Sequence, residues 1–127
     1  MGYTVLRPED QRFAPPSWRP EEHVRTVVEL PLHATMAHSR ANLWRYPAGA
    51  QGRRHIPLVQ EEIFLVVEGT FAMLLGDPPE RYELPERSIV VVEPGTALKL
   101  MNESAEDGLI FAYGAPADPS AEILESY

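Results

Sequence analysis

The chain has 127 residues and a mass of 14.3 kDa, enough for one domain with a hydrophobic core of its own. It contains no cysteine, which excludes disulfide frameworks, cysteine-ligated zinc, iron–sulfur clusters and cysteine nucleophiles. Its 11 basic and 19 acidic residues give a net charge of −8, which disfavours nucleic acid and anionic membranes as partners because both select clustered Lys and Arg.

The first 22 residues contain four prolines among polar residues and no sustained period, which predicts an extended arm over residues 1–22. No charged-then-apolar leader opens this segment, and no apolar run in the chain approaches the ~20 residues needed to cross a bilayer. We therefore expect a soluble, cytoplasmic protein with no membrane partner.

Residues 23–115 break into short apolar runs rich in Val, Ile, Phe and Tyr, separated by turns that contain Pro and Gly. This spacing predicts a single all-β sandwich or barrel, since no run carries a helical stripe long enough for a core helix. The predicted strands are Val24–Leu30, Ala41–Tyr46, Ile63–Val67, Phe71–Leu75, Ile89–Val92, Leu98–Met101 and Leu109–Tyr113.

Residues 116–127 are predicted to form an acidic tail, because no Lys or Arg follows Lys99 while six carboxylates do. Within this tail, Asp118-Pro119-Ser120 precedes Ile123 and Leu124 in a pattern typical of a capped helix start. The pattern predicts one helical turn.

Two of the predicted strands, within Glu62–Glu68 and Phe71–Leu75, have apolar residues at both odd and even positions. A strand packed on one side only would alternate apolar with polar residues, so the outer face of this sheet needs a cover. A second copy of the chain would supply that cover and predicts a homodimer. The N-terminal arm, lying across the sheet, is the alternative.

One stretch of the sequence carries a recognisable signature. Gly49, His55, Glu62 and Gly69 stand at the spacing of the first cupin motif, G-x5-H-x-H-x4-E-x6-G. The chain therefore resembles a small single-domain cupin, and the resemblance covers about residues 41–113. It implies a double-stranded β-helix, or jelly-roll, barrel and a fold in which many members are dimers.

The second cupin motif, G-x5-P-x-G-x2-H-x3-N, is only partly preserved. Gly95 and Asn102 keep their places, and a proline stands one position late as Pro94. Arg87 occupies the position of the leading glycine, and Leu98 occupies that of the histidine. In the family the asparagine is usually structural, so we expect the same of Asn102.

The resemblance implies a metal centre whose ligand set is incomplete here. Metal-binding cupins hold an ion with three histidines and one glutamate, and this chain retains only His55 and Glu62. Pro57 and Leu98 replace the other two histidines, and neither side chain can donate a lone pair. We expect no tightly bound cofactor. A divalent transition metal, in a cupin oxygenase or isomerase, is the alternative if other side chains complete the site, the candidates being His23, His33, His38 and Gln60.

Without a metal, His55 and Glu62 are expected to face one largely apolar cavity from adjacent antiparallel strands. Three functions remain open: binding of a small molecule, metal-free acid–base isomerisation by the His55–Glu62 pair, and a purely structural contact. Arg53 and Arg54 are expected to be an exposed, solvated pair; the alternative is that Arg53, which shares the face of His55, meets an anionic ligand at the barrel mouth. The predicted ligand-binding residues are Trp44, Tyr46, His55, Glu62, Phe64, Leu98 and Leu100.

Overall fold

The computed structural model describes residues 2–124, and most of its regular structure is β-strand. Short 3-10 helices occur at Pro8–Asp10 and Leu30–Leu32. The strands are β1 Thr26–Glu29, β2 Arg40–Tyr46, β3 His55–Pro57, β4 Glu61–Glu68, β5 Phe71–Leu75, β6 Glu80–Leu84, β7 Ile89–Val92, β8 Leu98–Met101, β9 Gly108–Ala115 and β10 Ala121–Ile123.

The strands form two antiparallel sheets of five, in the orders β1-β2-β9-β4-β7 and β10-β3-β8-β5-β6. This arrangement confirms the predicted all-β jelly-roll barrel. Each of the seven predicted apolar runs overlaps one strand of the structure, and three further strands were not predicted. Of these, β3 has only three residues, and β6 is a polar edge strand whose apolar residues are too few to stand out. In the described part of the chain, no helix is long and apolar enough to cross a membrane.

The hydrophobic core lies between the two sheets. Phe71, Met73, Leu98, Ile110 and Val66 are almost completely buried there. Because side chains alternate along a strand, each strand that contributes to this core also carries an outward set of residues.

The arm packs against its own barrel. The backbones of Ala14 and Val27 form an antiparallel bridge, which extends the first sheet at its β1 edge. The Ser17 backbone N–H and hydroxyl then donate to the carboxylate of Glu29, at 2.8 and 2.7 Å. These bonds place the following residues, beginning with Trp18, beside the opening of the barrel cavity.

The predicted helical turn at the C-terminal end is wrong. Asp118 accepts a hydrogen bond from the backbone of Ser120, which closes a tight turn, and the chain continues as strand β10. Ala121–Ile123 pairs with β3, so backbone pairing to the barrel outweighs the local helix signal. The final residues 125–127 of the predicted acidic tail lie outside the described residues.

Asn102 has the structural role expected from its motif position. It is fully buried, and its Nδ2 donates to the carbonyls of Tyr46 at 2.9 Å and Glu106 at 2.8 Å. Its Oδ1 accepts hydrogen bonds from the backbone and hydroxyl of Ser104. The side chain therefore ties the end of β2 to the loop between β8 and β9.

The outer faces of the two doubly apolar strands differ. In β5, Phe71, Ala72 and Met73 are all buried within the single chain, so that strand does not need an outside cover. The outer face of β4 stays exposed together with that of its neighbour β7. We call this surface the outer patch; its members are Ile63, Leu65, Val67, Ile89 and Val91.

Candidate functional site

The barrel encloses a cavity of about 490 Å³ that opens to solvent beside the arm. Trp18 and Arg53, two exposed residues of its lining, form what we call the mouth. The structure places every predicted ligand-binding residue along the cavity wall: Trp44, Tyr46, His55, Glu62, Phe64, Leu98 and Leu100.

His55 and Glu62 meet in this cavity, but not from neighbouring strands as the sequence reading expected. His55 lies on β3 of one sheet and Glu62 on β4 of the other. The chain crosses between the sheets in the short loop that joins these strands, so the two side chains face each other across the lumen. The distance from His55 Nε2 to Glu62 Oε1 is 3.9 Å.

The surroundings of His55 fix where its protons lie. Its Nδ1 is 3.1 Å from the carbonyl oxygen of Arg53, which can only accept, so Nδ1 carries a proton. Burial alone would lower the pKa of His55, but the Glu62 carboxylate and the Arg53 carbonyl outweigh it and raise the pKa above its ordinary value. Nε2, which faces Glu62, is the nitrogen that gains or loses the second proton.

The two substituted motif positions are filled with apolar surface. Leu98 is 1% exposed and pairs directly with His55 across β8 and β3, and Pro57 is fully buried two residues along from His55. Among residues 2–124, no group of three or more His, Asp or Glu side chains is placed to hold a metal ion. One imidazole and one carboxylate beside Leu98 do not fit a tight transition-metal site, since such sites use three or four protein donors.

Three of the four proposed replacement ligands lie elsewhere. His23, His33 and His38 are exposed, and none lines the cavity. Gln60 is different, because it is 3% exposed and lies on the cavity wall beside Glu62. An amide is a weak ligand for transition metals, so Gln60 does not restore the missing imidazoles.

Sequence reasoning missed a buried ion pair beside the cavity. Arg25, 6% exposed, donates from Nη2 to Glu22 Oε1 at 2.9 Å and from Nη1 to the Tyr46 hydroxyl at 3.1 Å. Its guanidinium also stacks over the ring of Trp44, 4.9 Å from the centroid. No motif marks Arg25, and the only sequence signal is an Arg three residues after a Glu at the end of the arm.

Burial and hydrogen bonding shift the pKa values of the two partners of Arg25, Glu22 and Tyr46. Partial burial would raise the pKa of Glu22, but hydrogen bonds from Arg25 and the backbone N–H of Val24 outweigh it and hold the pKa at about 2. Burial raises the pKa of Tyr46 above its ordinary value. Glu22 is therefore ionised and Tyr46 neutral near pH 7.

The two neighbouring arginines of the first motif have separate roles. Arg53 is exposed at the mouth, on the same side as His55. Arg54 is 5% exposed and donates to the carbonyl of Gly76, with Asp77 3.6 Å away. The expectation of a solvated pair is therefore wrong for Arg54, whose side chain anchors the β5–β6 turn.

No protein-family model and no curated protein matches the chain. Solved structures do match over most of its length. An uncharacterised protein with a double-stranded β-helix domain from Klebsiella pneumoniae is 20% identical, with a TM-score of 0.70 over 89% of this chain and 91% of its own.

Two further structures show the same likeness. A sugar phosphate isomerase from a cupin superfamily, from Silicibacter pomeroyi, is 16% identical with a TM-score of 0.75, over 90% of this chain and 76% of its own. KdgF from Halomonas sp. is 17% identical with a TM-score of 0.75, over 91% and 96%. The chain therefore has the cupin double-stranded β-helix fold, and function has to be argued from the site.

Proposed function

We propose that this protein binds a small organic molecule in the barrel lumen without a tightly bound metal. The observation that carries the proposal is Leu98, a buried apolar side chain packed beside His55 where the cupin motif has a histidine. Together with the buried Pro57, this exchange converts half of the ligand set into apolar wall. A cavity of about 490 Å³, mostly apolar with a few converging polar groups, has the size and character of small-molecule sites.

The first test is the metal content of the purified, desalted protein, measured by plasma mass spectrometry. We expect well under one equivalent of any transition metal. A stoichiometric ion that is lost in both His55→Ala and Glu62→Ala would contradict the proposal and make a metal-dependent cupin enzyme the leading function.

The second test restores the motif. The double variant Pro57→His with Leu98→His should gain affinity for divalent transition metals and lose affinity for organic ligands, both read by thermal shift. Pro57→His alone is the matched control and should gain far less metal affinity. Circular dichroism verifies that each variant remains folded. Failure of the parent protein to respond to any metabolite in a broad screen would contradict the proposal.

A second candidate function is metal-free acid–base isomerisation, and the His55–Glu62 geometry favours it. In the neutral imidazole, Nδ1 holds its proton for the Arg53 carbonyl, which leaves the Nε2 lone pair facing the cavity. Nε2 can accept the proton of a carbon that bears a hydroxyl next to a carbonyl, and the electron pair passes into an enediolate. The proton returns to the former carbonyl carbon while the hydroxyl proton moves to the former carbonyl oxygen, and Glu62 stabilises the intermediate imidazolium. The product is an isomer of the substrate, so no oxidant or reductant is needed.

Hydrogen exchange separates this enzyme from a binding module. A ligand found in the screen is incubated with the protein in D₂O, and incorporation of deuterium at carbon is followed by NMR. His55→Asn should retain ligand binding and abolish incorporation. Binding without incorporation in the parent protein would leave binding as the sole function.

A further inference from the structure

Three buried side-chain atoms have no hydrogen-bond partner among the residues that the structure describes. They are Nε of Arg25, Oδ1 of Asn42 and Nε2 of Gln60. All three residues line the same cavity. Because folded proteins pair nearly all buried polar atoms, unpaired atoms that converge on one cavity indicate a partner that occupies it.

The chemistry of the three atoms describes that partner. The N–H groups of Arg25 and Gln60 need acceptors, whereas the carbonyl oxygen of Asn42 needs a donor. Arg25 and Gln60 are 6% and 3% exposed, so bulk water has little access to their N–H groups. A hydroxyl group both donates and accepts, and a carboxylate only accepts. A ligand that carries both groups would satisfy all three residues.

The charge of the cavity is opposite to that of the chain. Among the described residues, four arginines line it and Glu62 is the only lining carboxylate. Glu22, which is not part of the lining, pairs with Arg25 at 2.9 Å and with Arg19 at 3.9 Å, so one carboxylate serves both arginines. Burial lowers the pKa of Arg19, the like charges of Arg53 and Arg25 lower it further, and Glu22 and Glu21 offset part of that effect. The lining arginines are Arg19, Arg25, Arg40 and Arg53.

Aromatic rings cover the wall between the mouth and the lumen. Trp18 packs edge-on against Trp44 with ring centroids 5.9 Å apart, and Trp44 packs against Tyr46 at 6.1 Å. Such a wall buries the carbon skeleton of a ligand whose polar groups point elsewhere. A carboxylate at one end of that skeleton can lie among the arginines while its hydroxyls reach the amides.

We infer that the ligand is a small hydroxylated carboxylate, with its carboxylate among Arg19, Arg25 and Arg53 and its hydroxyls against Asn42 and Gln60. This inference rests on the proposed lumenal binding function and names the class of ligand. It follows from unpaired atoms and charge, two features independent of the His55–Glu62 pair.

The test uses four six-carbon probes in titration calorimetry at low salt. Gluconate carries the carboxylate and the hydroxyls, sorbitol lacks the carboxylate, and hexanoate lacks the hydroxyls. Gluconate should bind at least about tenfold more tightly than sorbitol or hexanoate, as expected for hydrogen bonds to charged groups. Sorbitol 6-phosphate replaces the carboxylate by phosphate and should bind more weakly than gluconate.

Two variants assign the contacts. Gln60→Leu should weaken gluconate about tenfold, leave hexanoate unchanged and leave the thermal midpoint of the free protein unchanged or raised, because it removes an unpaired buried donor. Arg53→Gln should weaken gluconate and hexanoate by about threefold to tenfold and leave sorbitol unchanged. Arg81→Gln is the matched control, since Arg81 is also exposed but pairs with Glu103 away from the cavity. It should change none of these affinities.

The outcomes separate this inference from the proposed function. Sorbitol or sorbitol 6-phosphate binding as tightly as gluconate would overturn the inference and leave lumenal binding intact. A Gln60→Leu protein with a lowered midpoint and undiminished gluconate affinity would show that Gln60 is structural, and would overturn it as well. Absence of binding by all four probes overturns the inference alone, because the metal measurement and the metabolite screen decide the proposed function separately.

Discussion

Strand β4 has two apolar faces that meet different surroundings. On the inner face, Glu62 at the cavity is followed by Phe64 and Val66, which are 7% and 1% exposed. On the outer face, Ile63, Leu65 and Val67 are exposed by 36–43% and have no polar neighbour between them on that face. The inner face changes from polar to apolar along the cavity wall, which suits a small ligand. The outer face is apolar and exposed to solvent, and it suits contact with a flat protein surface.

The outer patch is extended by the adjacent edge strand. Ile63 pairs with Val91 and Leu65 with Ile89, so the exposed apolar residues of β4 and β7 lie side by side. The arm does not cover this patch, because it packs at the opposite edge of the sheet, against β1. Contiguous exposed apolar patches mark interaction sites on proteins in water. A homodimer through the outer patch is therefore our proposal for its cover.

The sharpest test of the two faces compares adjacent residues. Phe64→Ala should lower the free energy of unfolding by about 3 kcal/mol, because it removes buried surface and enlarges a cavity. Leu65→Ala, one position along the same strand, should cost less than about 1 kcal/mol in the monomer. Denaturant unfolding of both variants measures the difference. Equal costs would show that the two faces are buried alike.

The next largest effect concerns the outer patch. The parent protein should scatter light as a particle of ~29 kDa at micromolar concentration, twice the chain mass. The double variant Ile89→Glu with Val91→Glu should shift this to ~14 kDa, since both side chains are more than 60% exposed in the single chain and tolerate charge there. Tyr82→Glu, an exposed apolar residue on the other sheet, is the control. A parent protein of ~14 kDa would rule out the dimer.

A smaller effect is expected inside the cavity, where Glu62 acts on the pKa of His55. The raised pKa of His55 means that its protonation stabilises the fold: this contribution is full below the ordinary pKa of 6.5 and is lost as pH rises through the folded value. In an NMR titration, Glu62→Gln should lower the pKa of His55, because it removes the carboxylate that favours the imidazolium. An unchanged His55 midpoint would mean that the carboxylate does not act on the imidazole.

The contrast between the faces also explains how far the sequence could be interpreted. Alternation along β2, β4 and β8 correctly brought residues such as Trp44, Phe64 and Leu98 to one cavity. The alternation of side chains along a strand shows which residues share a face, but it does not show which sheet the strand joins. The placement of His55 and Glu62 on opposite sheets was therefore missed. Arg25 was missed because its position depends on the return of the arm through Ser17 and Glu29, a tertiary contact without a local pattern.

The smallest expected change in the free energy of unfolding concerns Arg87, in the turn before β7. This turn aligns β7 with β4 and so determines which residues of β7 lie on the inner and outer faces. Arg87 stands at the motif position of a glycine and has φ = 73°, a left-handed conformation that costs a residue with a Cβ about 1–2 kcal/mol. Its N–H donates to the carbonyl of Val66 at 2.8 Å, which fixes where β7 begins to pair. Arg87→Gly should therefore raise the free energy of unfolding by about 0.5–1 kcal/mol, after the greater freedom of glycine in the unfolded chain is subtracted. Arg87→Ala keeps the Cβ and should give no such gain in denaturant unfolding. Equal stabilisation by both variants would assign the effect to the arginine side chain, since only glycine relieves the backbone.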